Sequence, residues 1–291
     1  MSRLLKVGYY NHIMAIAQVG KLRMHYEIEG DGPALLLVTG TGFPGETWRT
    51  GISNRFAEVG FRVISYDHRG LGQSDKPDGS YSTRMFAQDA VGLLSYLEIE
   101  RAHVLGHSMG GRVCQWIALD EPGRVDRLVL AASGPGEIDP KLPVTRGIPL
   151  EAGMAMIEKG FEAYIREHIG GRFFFTDDFV ADGSDVVDKL TKAFLDNRPS
   201  VNCYLRHVIA RQQHQTAERL GEIDCPTLII VGSEDSHKGG TGSHVRQSEY
   251  LTHEIPNAVM KTISGCAHAF FWQKPDEATR IVSEFLHGRN N

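Results

Sequence analysis

The chain has 291 residues, 41% of them hydrophobic and 23% charged, enough to bury a large core in one α/β domain carrying an insertion. Its net charge is −5 and its 31 basic residues are scattered, which argues against a nucleic-acid partner or a membrane-binding face. The cysteines form no Cys-x-x-Cys pair and read as free thiols. No apolar run reaches the roughly 18 residues of a spanning helix, so a cytoplasmic protein is expected.

Ile13–Val19 and Leu22–Ile28, joined at Gly20-Lys21, read as a hairpin. Ala34–Val38 is a continuous apolar strand of the kind buried on both faces, followed by the glycine-rich loop Thr39-Gly40-Thr41-Gly42-Phe43-Pro44-Gly45. No Gly-Lys-Ser/Thr comes after it, so a phosphate cradle is excluded and its backbone N–H groups are read as facing a reactive group. Phe61–Tyr66 is the next strand. In the tight loop after it, Asp67 and Arg69 read as an ion pair bracing the turn rather than as catalytic groups. Thr83–Leu97 carries a helical apolar stripe with Thr83 as its N-cap.

Arg101–Leu105 reads as a short buried strand, and Arg112–Leu119 as a helix with Val113, Trp116, Ile117 and Leu119 on one face. Between them lies Gly106-His107-Ser108-Met109-Gly110-Gly111. A serine on so tight a strand-to-helix turn has a strained backbone, and the glycines two before and two after it remove clashing Cβ atoms. The turn presents the Ser108 hydroxyl above the sheet and leaves the Met109 N–H at a helix N-terminus, where a developing oxyanion would sit.

Val125–Ala132 is the following strand, and the alternation so far implies a mostly parallel sheet with helices on both faces. From Gly134 to about Arg219 that rhythm breaks. Prolines 135, 140, 143 and 149 punctuate it, and helical segments follow over Leu150–His168, Asp185–Asn197 and Ser200–Gln215, which reads as a lid over the sheet's top edge. Phe173, Phe174 and Phe175 are either lid core or, with Trp48, the wall of a substrate pocket. Pro226–Val231 restarts the sheet and ends in Gly232-Ser233-Glu234-Asp235. His244–His253 is a short helix, Ala258–Ile263 the last strand, Gly265-Cys266-Ala267-His268 its terminating loop, and Pro275–His287 the closing helix.

A serine hydroxyl needs an imidazole to take its proton, and the imidazole needs a carboxylate to hold its tautomer. Asp235 and His268 each follow the carboxyl end of a strand, where reactive groups of α/β sheets gather, and the order Ser108, Asp235, His268 is that of a known triad order. Glu234 and Glu137 are rival carboxylates. His237 and His244 flank a glycine-rich loop as a conceivable metal pair; with no third ligand evident, they read as surface residues and no metal is expected.

On Asp67–Ser74, the Ser108 turn, Val231–Asp235 and Gly265–His268, the whole chain resembles the α/β-hydrolase superfamily, in its branch of small bacterial esterases, enol-lactonases and carbon–carbon bond hydrolases. The resemblance implies a mostly parallel eight-stranded sheet with helices on both faces and an inserted helical lid. The core would be 1–133 with 220–291, and the lid 134–219. Relatives carry His-Gly where this chain has Thr39-Gly40, so either Gly40-Thr41 or Gly42-Phe43 could stand for the Gly-x pair. Phe43 is the expected second oxyanion donor beside Met109, because Phe-Pro-Gly follows as it does in many relatives.

Serine rather than aspartate at position 108 argues against a haloalkane dehalogenase or an epoxide hydrolase. The resemblance implies hydrolysis of an ester or lactone of a small to medium apolar substrate, without a cofactor. The alternatives are a carbon–carbon bond or an amide cut by the same triad, and a non-catalytic ligand receptor on the same fold. By analogy between lid helices, a homodimer is also expected.

Overall fold

A computed structural model describes residues 3–7, 10–138, 150–171, 173–182, 185–235 and 243–288. The chain opens with the antiparallel ribbon β1 (Arg3–Val7), β2 (Tyr10–Val19) and β3 (Leu22–Glu29). The alternating part comprises β4 (Ala34–Val38), α1 (Ser53–Glu58), β5 (Arg62–Tyr66), α2 (Thr83–Tyr96), β6 (Ala102–His107), α3 (Met109–Asp120) and β7 (Val125–Ala131). Before the sheet resumes come α4 (Leu150–Lys159), α5 (Phe161–Ile169), α6 (Asp177–Ala181), α7 (Asp185–Asp196) and α8 (Val201–Gln212). The chain then closes with β8 (Thr227–Gly232), α9 (His244–Glu254), β9 (Ala258–Ile263), α10 (Phe270–Gln273) and α11 (Pro275–Leu286).

The strands lie in the order β1-β2-β3-β5-β4-β6-β7-β8-β9. From β5 to β9 every pairing is parallel, and β3 joins β5 antiparallel. The eight strands anticipated are β2 to β9; Arg3–Val7 adds one at the edge, paired with β2. The unbroken apolar run of β4 follows from its central place, with Leu36 in register with Ile64 on one side and Val104 on the other. Leu35 and Leu37 join a core with Phe56 of α1 and Val282 of α11, whereas Leu36 and Val38 join the opposite core with Phe86 of α2, Val113 of α3 and Leu251 of α9. Both faces are dry, so strict alternation of polarity disappears.

Several local expectations are corrected. The stretch read as one helix over Leu150–His168 is two, separated at Gly160, whose φ of 84° a right-handed helix does not allow. Ser82, not Thr83, caps α2: its Oγ accepts from the Met85 N–H at 3.1 Å, while Thr83 Oγ1 meets Trp116 and His214. Asp67 and Arg69 brace the loop separately. The Asp67 carboxylate accepts from the Gly45 and Gln73 N–H groups at 2.8 and 2.9 Å, and Arg69 makes a two-pronged pair with Asp89. Pro140, Pro143, Pro149 and His237 lie outside the described residues. Among the described residues, no helix is long and apolar enough to cross a membrane.

The inserted helices are packed onto the sheet. Ile165 of α5, Phe194 of α7 and Val208 of α8 belong to the same buried cluster as Leu35 and Leu37. Phe173, Phe174, Tyr204 and Arg211 from this stretch line one cavity with Thr39 and Thr41 after β4, Ser108 after β6 and His268 after β9.

Candidate active site

Ser108 has φ 57° and ψ −119°, in the left-handed region that a residue with a Cβ adopts only under constraint. The constraint is steric. A Cβ on Gly106 would stand 2.2 Å from the Gly110 carbonyl oxygen, and one on Gly110 2.1 Å from that of Val38, so only glycine lets β6, α3 and β4 approach this closely. The turn is also pinned by hydrogen bonds: the Ser108 N–H donates to Ala131 O, and Ser133 Oγ donates to Ser108 O, both at 2.8 Å. Met109 is the first residue of α3, so its N–H has no partner within the helix.

The loop after β4 runs beside Ser108, and a Cβ on Gly40 would lie 3.3 Å from Ser108 Cβ and 3.8 Å from its Oγ. The Phe43 N–H donates to Gly40 O at 3.2 Å, closing a turn, and its ring packs 5.4 and 5.0 Å from those of Phe174 and Phe194. That N–H is taken, whereas among the described residues no protein group accepts the Thr41 N–H.

The Asp235 carboxylate is buried and His268 Nδ1–H donates to its Oδ2 at 2.8 Å. The rival Glu234 is exposed. His244, read from the sequence as a surface residue, is instead 5% exposed, and its Nδ1–H donates to Asp235 Oδ1 at 3.0 Å. The two imidazole rings lie 4.7 Å apart. His107, which no sequence argument singled out, donates from Nε2 to the His268 carbonyl at 2.9 Å and so holds the backbone of that loop. On its other side, the His268 ring stacks on Phe173 at 4.4 Å.

Ser108 and His268 line one cavity together with Trp48, Phe173, Phe174 and Arg211. Phe175 is separated from its neighbours: it is fully buried and stacks on Phe179 at 5.2 Å. The phenylalanine run therefore divides between cavity wall and core of the insertion.

The alpha/beta hydrolase fold family matches residues 33–275. The chain belongs to that family. It is 32% identical to a 2-hydroxy-6-oxononadienedioate/2-hydroxy-6-oxononatrienedioate hydrolase of Paraburkholderia xenovorans, over 92% of this chain and 91% of the relative. A protein of the same designation from Pseudomonas putida is 30% identical, over 91% and 92% of the two chains. The enol-lactonase structure from Burkholderia xenovorans superposes with a TM-score of 0.80 at 23% identity, covering 94% of this chain and all 100% of that one, a likeness of fold. The protein is thus a hydrolase.

The electrostatics of this hydrolase site follow from burial. Burial alone would raise the Asp235 pKa, but the two histidines on its oxygens reverse this and hold the carboxylate far below its usual range. Burial lowers the His268 pKa below 6.5, with Asp235 opposing it and His244 and Arg211 reinforcing it. His107, enclosed and beside His268, is driven down to about 3 and is neutral. Asp235, His244 and His268 bring their ligand atoms within 4.8 Å of one another, as a metal site would, but both Nδ1–H groups already point at the carboxylate. A second such group, His12, Glu27 and Glu29, is knitted together by Arg49, which approaches both carboxylates.

Proposed function

We propose that Ser108 is the nucleophile of this hydrolase, His268 its general base and acid, and Asp235 the group that orients His268. The observation that carries this reading is a serine held at φ 57° in the same cavity as an imidazole anchored at 2.8 Å to a buried carboxylate. The oxyanion is received by the N–H groups of Met109 and, in place of Phe43, Thr41, one of the loop N–H groups for which the described residues offer no protein acceptor. Residues 134–219 act as the lid on a core of 1–133 and 220–291, a division supported by Phe173, Phe174, Tyr204 and Arg211 all reaching the cavity from the insertion.

The bond we assign is a carbon–carbon bond next to a carbonyl, in keeping with relatives at 30 to 32% identity over nine-tenths of the chain. Ser108 Oγ adds to the carbonyl carbon while His268 takes its proton, and the carbonyl electron pair moves onto oxygen. When the tetrahedral carbon collapses, the carbon–carbon bond breaks. Its electron pair leaves as an enolate, which takes the proton from His268. Water deprotonated by His268 then adds to the acyl carbon, and as that tetrahedral carbon collapses to the carboxylic acid the bond to Ser108 Oγ breaks and Oγ takes the proton back from His268. An ester or lactone is the second reading, since its better leaving group needs no more than the same triad.

The test is intact mass after treatment with a fluorophosphonate, with Ser108→Ala as control, followed by turnover of ring-fission diketones, esters and lactones. A single adduct absent from S108A, with fastest turnover of the diketones, is the expected result. An adduct elsewhere sinks the Ser108 assignment, and faster turnover of lactones or esters replaces the bond assigned.

A further inference from the structure

The backbone at His268 is held from two sides. From the core, His107 donates to the His268 carbonyl. From the insertion, two successive carbonyls receive two successive N–H groups: His268 donates to Phe173 O at 3.3 Å and Ala269 to Phe174 O at 2.7 Å. The insertion segment is itself a tight turn, in which the Phe174 and Phe175 N–H groups both donate to Gly171 O.

One side chain closes this contact. Gln273, the last residue of α10, accepts from the Ala267 N–H through Oε1 at 2.8 Å and donates from Nε2 to Thr176 Oγ1 at 3.0 Å. A backbone N–H only donates, so the amide has one orientation here and its NH2 is left for the insertion. Thr176 stands at the N-terminal cap of α6, where a threonine hydroxyl ordinarily accepts from its own helix. It makes no such bond and meets Gln273 instead. Gln273 is thus bonded at once to the residue before His268 and to the segment whose carbonyls hold His268.

We infer that Gln273 is a positioning residue of this hydrolase, and that residues 173–176 are half of the frame that sets the His268 imidazole. The inference rests on Ser108 and His268 being the nucleophile and the base. Lifting this segment would break three hydrogen bonds to the catalytic loop and its helix, and would take the Phe173 ring off the imidazole, where it stacks at 4.4 Å. Closing the cavity and arming the base are therefore one event. A displacement of about 1 Å at a reacting group costs on the order of 100-fold in rate, so a small loosening of the frame is enough to be read.

The experiment compares Gln273→Leu, Thr176→Val and the double variant with the wild type on p-nitrophenyl butyrate, each rate taken per serine titrated by a fluorophosphonate, which divides out unfolded protein. In Q273L kcat should fall about tenfold, the upper end of what one neutral hydrogen bond supports, with KM within about twofold. T176V leaves the Ala267 contact intact and should still lower kcat, and the double variant should be no slower than Q273L, because both changes cut the same link. Gln273→Glu should regain most of the rate, its carboxylate accepting from the Ala267 N–H and from the Thr176 hydroxyl. A wild-type kcat in T176V overturns the clasp, as do losses that simply multiply in the double variant. A rise in KM in place of the fall in kcat overturns the positioning role.

Hydrogen exchange gives a reading that needs no turnover. The His268 and Ala269 amides should exchange about tenfold faster in T176V than in the wild type, although the substitution removes no bond of theirs; unchanged exchange overturns the proposal. Quickened exchange in T176V, when the wild type takes up no fluorophosphonate at Ser108, would instead remove the Ser108 reading and keep the tether.

Discussion

Replacing His244 by phenylalanine isolates the second imidazole on Asp235. The side chain is 5% exposed, so a ring of similar size preserves packing while removing the N–H that meets Oδ1 at 3.0 Å. Asp235 then keeps one side-chain donor, His268. A hydrogen bond to a buried charged group contributes about 1.5–3 kcal/mol, and a carboxylate released on one side no longer fixes the His268 ring. If that loss falls on the transition state, kcat/KM drops about 10- to 100-fold.

The pH profile separates this effect from a structural one. Burial, and after it His244, lowers the His268 pKa below 6.5. The base must be neutral to act, so kcat/KM rises with pH through that pKa, and removing a neighbour that lowers it moves the acid limb to higher pH. Stopped-flow or steady-state hydrolysis of an aryl ester between pH 4 and 9, about two units either side of the ordinary histidine value, reads both quantities. His244→Gln, which restores an N–H donor, should recover part of the rate. A folded H244F protein with kcat/KM within about twofold of wild type and an unmoved limb would refute the positioning role.

For the wild type, the acid limb of kcat/KM should have its midpoint below 6.5, the ordinary histidine value, and Asp235→Asn should move it lower still while reducing the rate. Gly110→Ala places a Cβ 2.1 Å from the Val38 carbonyl oxygen and 2.8 Å from that of Thr39, so the Ser108 turn must shift. Lost fluorophosphonate labelling together with a lower Tm is the expected outcome, and normal labelling would show that the turn tolerates a side chain. Phe175→Ala should cost about 3–5 kcal/mol in a urea titration, because the ring is fully buried in the core of the insertion. Phe173→Ala, which strips the ring stacked on His268 at 4.4 Å, should act mainly on kcat/KM. The reverse pattern would exchange their roles.

The parts of this protein legible in its sequence are those whose physics is local. Gly106 and Ser108 announce the strained turn because the clash Gly106 avoids is with Gly110, four residues on, whereas the clash Gly110 avoids is with Val38 of β4, a tertiary neighbour. The apolar run of β4 announces a strand buried on both faces, and Asp235 and His268 announce themselves by following strands β8 and β9. Tertiary structure decided what depends on contacts between distant segments. The Phe43 N–H closes a turn onto Gly40, which no local pattern announces, and three successive phenylalanines parted ways, since neighbours in a bent segment face different surroundings. His244, His107 and Arg211 carry no local signature. Their roles depend on a carboxylate, a carbonyl and a cavity supplied by other parts of the chain, and only packing fixes which polar groups lose water together.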